Sequence, residues 1–264
     1  MATKHQAAEI LSERRETWAA KPIIRKLYEK WYGHIQQALK PGRTLELGGG
    51  SGNLSDFLPE AITSDIVYEP WLDAVMDAHA IPFKKESLDN IVLFDVLHHL
   101  AEPAVFFQEV ERVLRAKGRA IMMEPYVSWL SFPVYRFLHA EGMKWDVDPF
   151  IDRSFERKEP FAGNQAVPTL IFRKQKKKFS EAFPTLKIIQ VATMDIFLYP
   201  LSGGFHNPSL CPLFLWRPLE ILEGVLSTFN KFLAFRLFVV LEKSPLPPFS
   251  KGGLGGISRE PQKV

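Results

Sequence analysis

Glu46 stands two residues ahead of alternating glycines, Gly48, Gly50 and Gly52, with Gly49 among them. The stretch Thr44 to Leu47 reads as a short buried strand, and Asn53-Leu54 as the first turn of a helix. A strand running through glycines into a helix start collects backbone N–H groups and a positive helix end at one point. The glycines reach positive φ without steric cost and let a bound group lie against bare backbone. A carboxylate inside an apolar strand is tolerable only where something hydrogen-bonds it. The chemistry this suits is the binding of a nucleoside-type cofactor. The spacing argues against a dinucleotide turn, because Gly-x-Gly-x-x-Gly would need a glycine at 53 or 55, where Asn53 and Ser55 stand.

Other residues along the chain could act with this turn. Asp65 closes an expected second strand, Ala61 to Ile66, where an acid about 20 residues past the glycines hydrogen-bonds a ribose diol. Glu69 competes for that role. His98 or His99 could take a proton from a hydroxyl. Adjacent helical residues do not share a face, so at most one of the pair points into a site, and a packed histidine is the commoner outcome. Two histidines with no nearby third ligand make a poor metal site, so no metal is expected. Glu124 ends an expected fifth strand, Ala120 to Pro125, and faces either substrate or solvent. Asn164 and Gln165 form a polar knot and are candidate substrate contacts.

Three ordered stretches resemble class I S-adenosylmethionine (SAM)-dependent methyltransferases of the type 11 domain family. The first is Glu46-x-Gly48-x-Gly50-x-Gly52. The second is Asp77-Ala78-His79-Ala80-Ile81-Pro82-Phe83, similar to a segment that follows the third strand of that family. There the resemblance implies that Asp77 accepts from the adenine amine beside the small Ala78; the same aspartate also reads as a turn former. The third runs from Ser87 to Leu100, whose strand end, Phe94-Asp95, would lie beside the methionine part of SAM. The resemblance implies an α/β fold with a Rossmann-like seven-stranded sheet, helices on both faces, a helical N-terminal segment and an aromatic-rich insertion after the fifth strand. It implies SAM as cofactor, bound by Glu46, Gly48, Gly49, Gly50, Gly52, Asp65, Asp77, Ala78, Phe94 and Asp95, and direct SN2 methyl transfer to a small-molecule or lipid- or glycan-linked acceptor, at oxygen. His98, His99 and Glu124 are its candidate catalytic residues.

The elements that must position these residues divide the chain into five parts. Residues 1–40 form a helical segment broken near Lys21-Pro22, which either packs on the core or acts as a lid. Residues 41–125 form the SAM-binding core, with only a loop or single turn at 67–71 where a crossover helix is usual. Residues 126–185, with aromatics among prolines, shape the substrate pocket. Residues 186–243 close the sheet with a strand, an apolar helix stepping through Leu219, Leu222, Leu226, Phe229 and Leu233, and an antiparallel edge strand from Arg236 to Lys243. Residues 244–264, rich in proline and glycine, are expected to be disordered.

Composition sets outer limits. The 264 residues, 46% hydrophobic, support one decorated α/β domain with a sizeable core. A net charge of +3 argues against nucleic acid as a partner. The lone Cys211 excludes an internal disulfide and suits the reducing cytoplasm, the expected location. No signal peptide or transmembrane segment is expected, although the basic run Arg173 to Lys178 could meet an anionic membrane surface. A non-catalytic interaction module of the same fold is the alternative from a different functional class.

Overall fold

The computed structural model describes residues 4–139, 141–150 and 162–245. Phe155, Phe161 and the tail beyond 245 lie outside that set. Among the described residues one seven-stranded sheet runs in the order β3-β2-β1-β4-β5-β7-β6. Its strands are β1 (Thr44–Leu47), β2 (Ile62–Asp65), β3 (Ala74–Val75), β4 (Leu88–Phe94), β5 (Leu114–Pro125), β6 (Leu186–Met194) and β7 (Arg236–Lys243). The first five are parallel; β7 runs antiparallel between β5 and β6. The chain leaves β1 for β2 on one side and returns to β4 on the other. That reversal opens a crevice at the carboxyl ends of β1 and β4, where such sheets bind ligands.

The pleat sorts side chains to two faces. Ile91 and Leu93 of β4, Ala120 and Met122 of β5, and Leu237, Val239 and Leu241 of β7 enter one core. Val92, Phe94, Ile121, Met123, Phe238 and Val240 enter the other. Successive residues of a strand point to opposite faces, so a doubly covered sheet reads as an unbroken apolar run. The first face is covered by α3 (Pro103–Val113), a short helix α5 (Val167–Thr169) continued by a π-turn over Leu170–Lys174, and α6 (Lys176–Ala182). Phe106, Phe107, Val110 and Val113 of α3 recur at helical spacing behind Pro103 at its start, where proline loses no hydrogen bond.

The second face is covered by α2 (Pro22–Ala38), α7 (Leu198–Ser202) and α8 (Trp216–Val225). Ile24, Leu27, Trp31 and Ile35 form the buried stripe of α2. α1 (Lys4–Ala20) ends before Lys21 and α2 starts at Pro22, so the break expected near Lys21-Pro22 is present. Glu223 of α8 caps the start of α7, its Oε1 accepting from the backbone N–H groups of Ile196, Phe197 and Leu198 at 2.7–2.9 Å.

Four expectations are corrected. β7 is not the edge strand: it pairs on both sides, and β6 is the edge. β5 begins at Leu114, well before the expected Ala120, and carries a bulge between the pairs Leu88↔Leu114 and Asn90↔Arg119. The helix expected to start at Asn53-Leu54 is a 3-10 turn, Asn53–Asp56. The apolar helix near 219–233 is interrupted by a 3-10 turn before α9 (Asn230–Leu233), and its Ile221, Val225 and Phe229 face solvent. The buried residues of α8 are Trp216 and Glu223, so apolar spacing there marks a face left open.

No helix among the described residues is long and apolar enough to cross a membrane. Exposed apolar side chains do occur, however, in and near α4 (Ser131–Phe137) and α8. Trp129, Phe137, Phe214 and Ile221 are each more than half exposed, and Trp129 rests on Phe232.

Candidate functional site

The loop after β1 has the geometry its glycines allow. Gly48, Gly50 and Gly52 have φ of +73°, +49° and +74°, a region costing an L-residue about 1–2 kcal/mol. A Cβ on Gly48 would press Val96 at 2.3 Å, and one on Gly52 would press Trp71 at 2.7 Å. Gly52→Ala is therefore expected to lower stability by about 2 kcal/mol and Tm by roughly 4–8 °C in thermal unfolding. Gly224→Ala on α8, where a Cβ meets nothing within 4 Å, should instead raise it slightly.

Glu46 lies beneath this loop. It alternates with Leu45 and Leu47, so it points to the α2 face, is only 2% exposed, and its Oε2 has no hydrogen-bond partner. That oxygen would be 2.8 Å from a Cβ on Gly49, which places it directly under the glycine backbone. Burial, with the Asp65 charge adding, pushes its carboxyl up to about 8. An orphaned, buried carboxylate beside bare glycine fits the ammonium group of an amino-acid-bearing cofactor such as SAM, which would supply the missing partner.

Asp65 is turned onto the same loop. Its Oδ2 accepts from Gly50 N–H and its Oδ1 from Val67 N–H, both at 3.0 Å. Burial raises its pKa and those two donors work against the rise. A carboxylate oxygen has two acceptor positions, so both oxygens keep one for a diol. The competing Glu69 is buried beside it. Over the glycines lie Trp71, whose Nε1 donates to Gly50 O at 2.9 Å, and α1, whose Arg15 donates to Ser51 O at 2.9 Å and sits on the Trp71 ring. Leu11 of α1 completes this cover.

Asp77 is half exposed. Its Oδ1 accepts from His79 N–H and contacts the His79 ring, as a turn-forming aspartate does. Ala78 is buried, and Glu109 and Arg112 of α3 clamp the 81–83 backbone that follows. Phe94 does not present its ring to the glycine loop. It stacks on Tyr28 at 4.8 Å and packs against Trp31 and Tyr32 of α2. Asp95, at φ +57°, lies 2.8 Å from Nη2 of Arg236, an ion pair outside hydrogen-bond alignment.

Arg236 is missed by sequence reading, since it opens an ordinary-looking strand. It is 1% exposed and lies over Trp31, Phe94 and Tyr199 at 4.8, 5.4 and 5.3 Å. Burial works against its charge, but Asp95 and the hydroxyls of Tyr199 and Tyr135 outweigh that and hold it protonated. Each close cation–ring contact contributes about 0.5–2 kcal/mol.

The histidine pair is resolved by Glu124 and Glu141. His98 Nδ1 lies 2.7 Å from Glu124 Oε2 and its Nε2 3.0 Å from Glu141 Oε2. Burial disfavours its charge, yet the hydrogen bonds its ring donates to the two carboxylates lift its pKa to about 10. Glu124 Oε1 accepts from the N–H groups of Val96 and Leu97 at 2.9 and 2.7 Å. His98 and Glu124 are thus committed to each other and to the turn after β4, and neither faces solvent. His99 is the more open of the pair, with Nε2 3.7 Å from Glu141 Oε1. Glu141 was also missed: it lies in the insertion, far from any motif. Of the polar knot, Gln165 donates to Glu141, whereas Asn164 bonds both backbone groups of Lys144 and so braces the loop carrying Glu141.

Residues 45–122 match the family model of a methyltransferase domain. No curated protein matches the chain. Among solved structures it is similar to a SAM-dependent methyltransferase from Archaeoglobus fulgidus, at 13% identity and TM-score 0.51, covering 83% of this chain and 94% of that one. It is also similar to a protein from Pyrococcus horikoshii OT3, at 15% identity and TM-score 0.47, covering 83% and 91%. The domain match over β1 to β5 and the seven-stranded sheet give this chain the fold of the SAM-dependent methyltransferase it resembles.

Proposed function

We propose that the protein binds SAM at the glycine turn and transfers its methyl group by direct SN2 displacement to an oxygen of a small or lipid-linked acceptor. The observation carrying this reading is the orphaned Glu46 oxygen beneath Gly49 at the sheet's switch point. Glu46 would pair with the methionine ammonium, Gly48 to Gly52 would let the cofactor lie on backbone, Asp65 would hold the ribose and Asp77 with Ala78 the adenine edge. Bound SAM supplies an electrophilic sulfonium methyl, so the protein's task is to place a nucleophile in line with it. Asp95 and Arg236 border that position. The rings of Tyr28, Trp31, Tyr199 and Phe205 supply an apolar wall, as acceptor pockets need. α1 and Trp71 act as the lid. Of the candidate catalytic residues, His98 and Glu124 position the turn after β4, and His99 is the one placed to meet an acceptor proton. The location is the cytoplasm, in keeping with the reduced, buried Cys211.

Calorimetric titration with SAM and S-adenosylhomocysteine tests the cofactor site. Micromolar binding that Asp65→Ala weakens at least tenfold is the expected result. Folded protein that binds neither compound would sink the enzyme reading. The exposed apolar side chains of Trp129, Phe137, Phe214 and Ile221 favour a second reading, a non-catalytic module that docks a protein or rests on a lipid surface. Turnover with any acceptor separates the two.

A further inference from the structure

We propose that His98, His99 and Glu141 form a binding site for one divalent transition-metal ion. The expectation of no metal rested on the lack of a third ligand, and the fold supplies it from the insertion. One ring nitrogen each of His98 and His99 and one Glu141 oxygen lie within 4.8 Å of one another. His98 Nε2 is 3.0 Å from Glu141 Oε2, and His99 Nε2 is 3.7 Å from Glu141 Oε1. Around an ion with bonds of about 2.1 Å, neighbouring ligand atoms stand roughly 3.0–3.4 Å apart, so a small inward movement of His99 closes the set. Two imidazoles and one carboxylate leave positions open for water or a ligand oxygen, and the donor set suits Fe(II), Mn(II), Co(II) or Zn(II).

The surroundings are those of a metal-binding imidazole. Such a histidine ordinarily donates its other N–H to a carboxylate that is itself anchored. His98 Nδ1 meets Glu124 at 2.7 Å, and Glu124 is fixed by two backbone N–H groups. Glu141 is held in turn by Gln165, and Asn164 N–H donates to His98 O at 2.9 Å. Gly163 packs directly on the cluster, where a Cβ would stand 2.8 to 3.1 Å from Glu141, His98 and His99, so only glycine leaves these side chains their present places. Glu141 and His99 remain partly exposed, at 15% and 18% of their side chains, so an ion can enter. If the methyl-transfer reading holds, an ion here would bind the acceptor oxygen and lower its pKa; the site itself stands on its own geometry.

The test uses the full chain stripped with chelator and titrated with Zn(II) and with Co(II), without SAM or acceptor. One equivalent per chain at micromolar affinity or tighter is expected, with Co(II) visible bands reporting nitrogen and oxygen ligands. His99→Ala and Glu141→Gln, each checked for folding by circular dichroism, should weaken binding at least a hundredfold, while His79→Ala at the exposed Asp77 turn leaves it unchanged. Absence of binding by wild type, or binding that survives in both folded variants, overturns the site. Because this measurement involves no methyl transfer, its failure leaves the SAM titration standing, and the reverse.

Discussion

Arg236→Ala is expected to lower stability by about 3–5 kcal/mol. The guanidinium is buried under three rings, so its removal leaves a cavity as well as an ion pair with one member. In a domain of this size the change corresponds to a Tm drop of roughly 6–20 °C. Asp95→Asn should cost less, about 2–3 kcal/mol, because the aspartate is a third exposed and water can screen the stranded cation. The double variant Arg236→Met, Asp95→Leu should recover much of the loss, since apolar replacements of a buried pair are often neutral. It should nevertheless lose methyl transfer, which separates stability from function. Thermal unfolding of the three variants and an acceptor screen give the readouts. A double variant as unstable as Arg236→Ala would show that ring packing, not charge, dominates the site.

Glu46→Gln should make the free protein more stable at pH 8 and the cofactor weaker, two effects of opposite sign from one substitution. An ordinary glutamate titrates at about 4.3, whereas burial holds Glu46 near 8. Between those values the folded state keeps a proton that the unfolded state has lost. Stability from this group is therefore greatest at low pH and declines as pH rises toward 8. The glutamine variant has no such decline. Pairing with an ammonium reverses the preference and favours the ionised carboxylate. Binding below pH 8 must then expel a proton, so affinity should fall by up to about tenfold per pH unit on acidification. Glu46→Gln should abolish that slope and weaken binding roughly 10- to 150-fold, the worth of a hydrogen bond to a charged group. Titrations at several pH values in buffers of different ionisation enthalpy measure both. A wild-type affinity flat from pH 6 to 8 would mean that Glu46 does not meet the ammonium.

What could be read from residue order was local. Glu46 and its glycines, the strand around Ile91 to Phe94, and the amphipathic helix from Pro103 follow from periodicity and turn chemistry within a dozen residues. The abbreviated crossover after β2 was also visible, since too few residues separate Asp65 from Ala74 for a helix. What escaped was long-range pairing. Arg236 has no local mark of function; its role appears only when antiparallel pairing sets it opposite Pro125 and beside Asp95. Glu141 likewise meets His98 only because Asn164 and Gln165 fold the insertion back. The apolar spacing near 219–233 misled for the opposite reason: periodicity reports an apolar stripe, and nothing local says whether that stripe is covered.

β7 lies between two strands that both precede it in the chain. During synthesis β5 stays an unpaired edge, and β6 has no sheet to join, until residues 236–243 leave the ribosome. An N-terminal portion is generally free to fold as it emerges. Here that portion carries the whole glycine turn and Asp95 but lacks the guanidinium that balances Asp95. A nascent chain can therefore own its glycine turn in full while the buried pair of Asp95 and Arg236 is still unmade. Placing Arg236 at the start of the closing strand makes this buried pair complete only when the sheet is complete, so a chain ended before 236 keeps Asp95 without its cation.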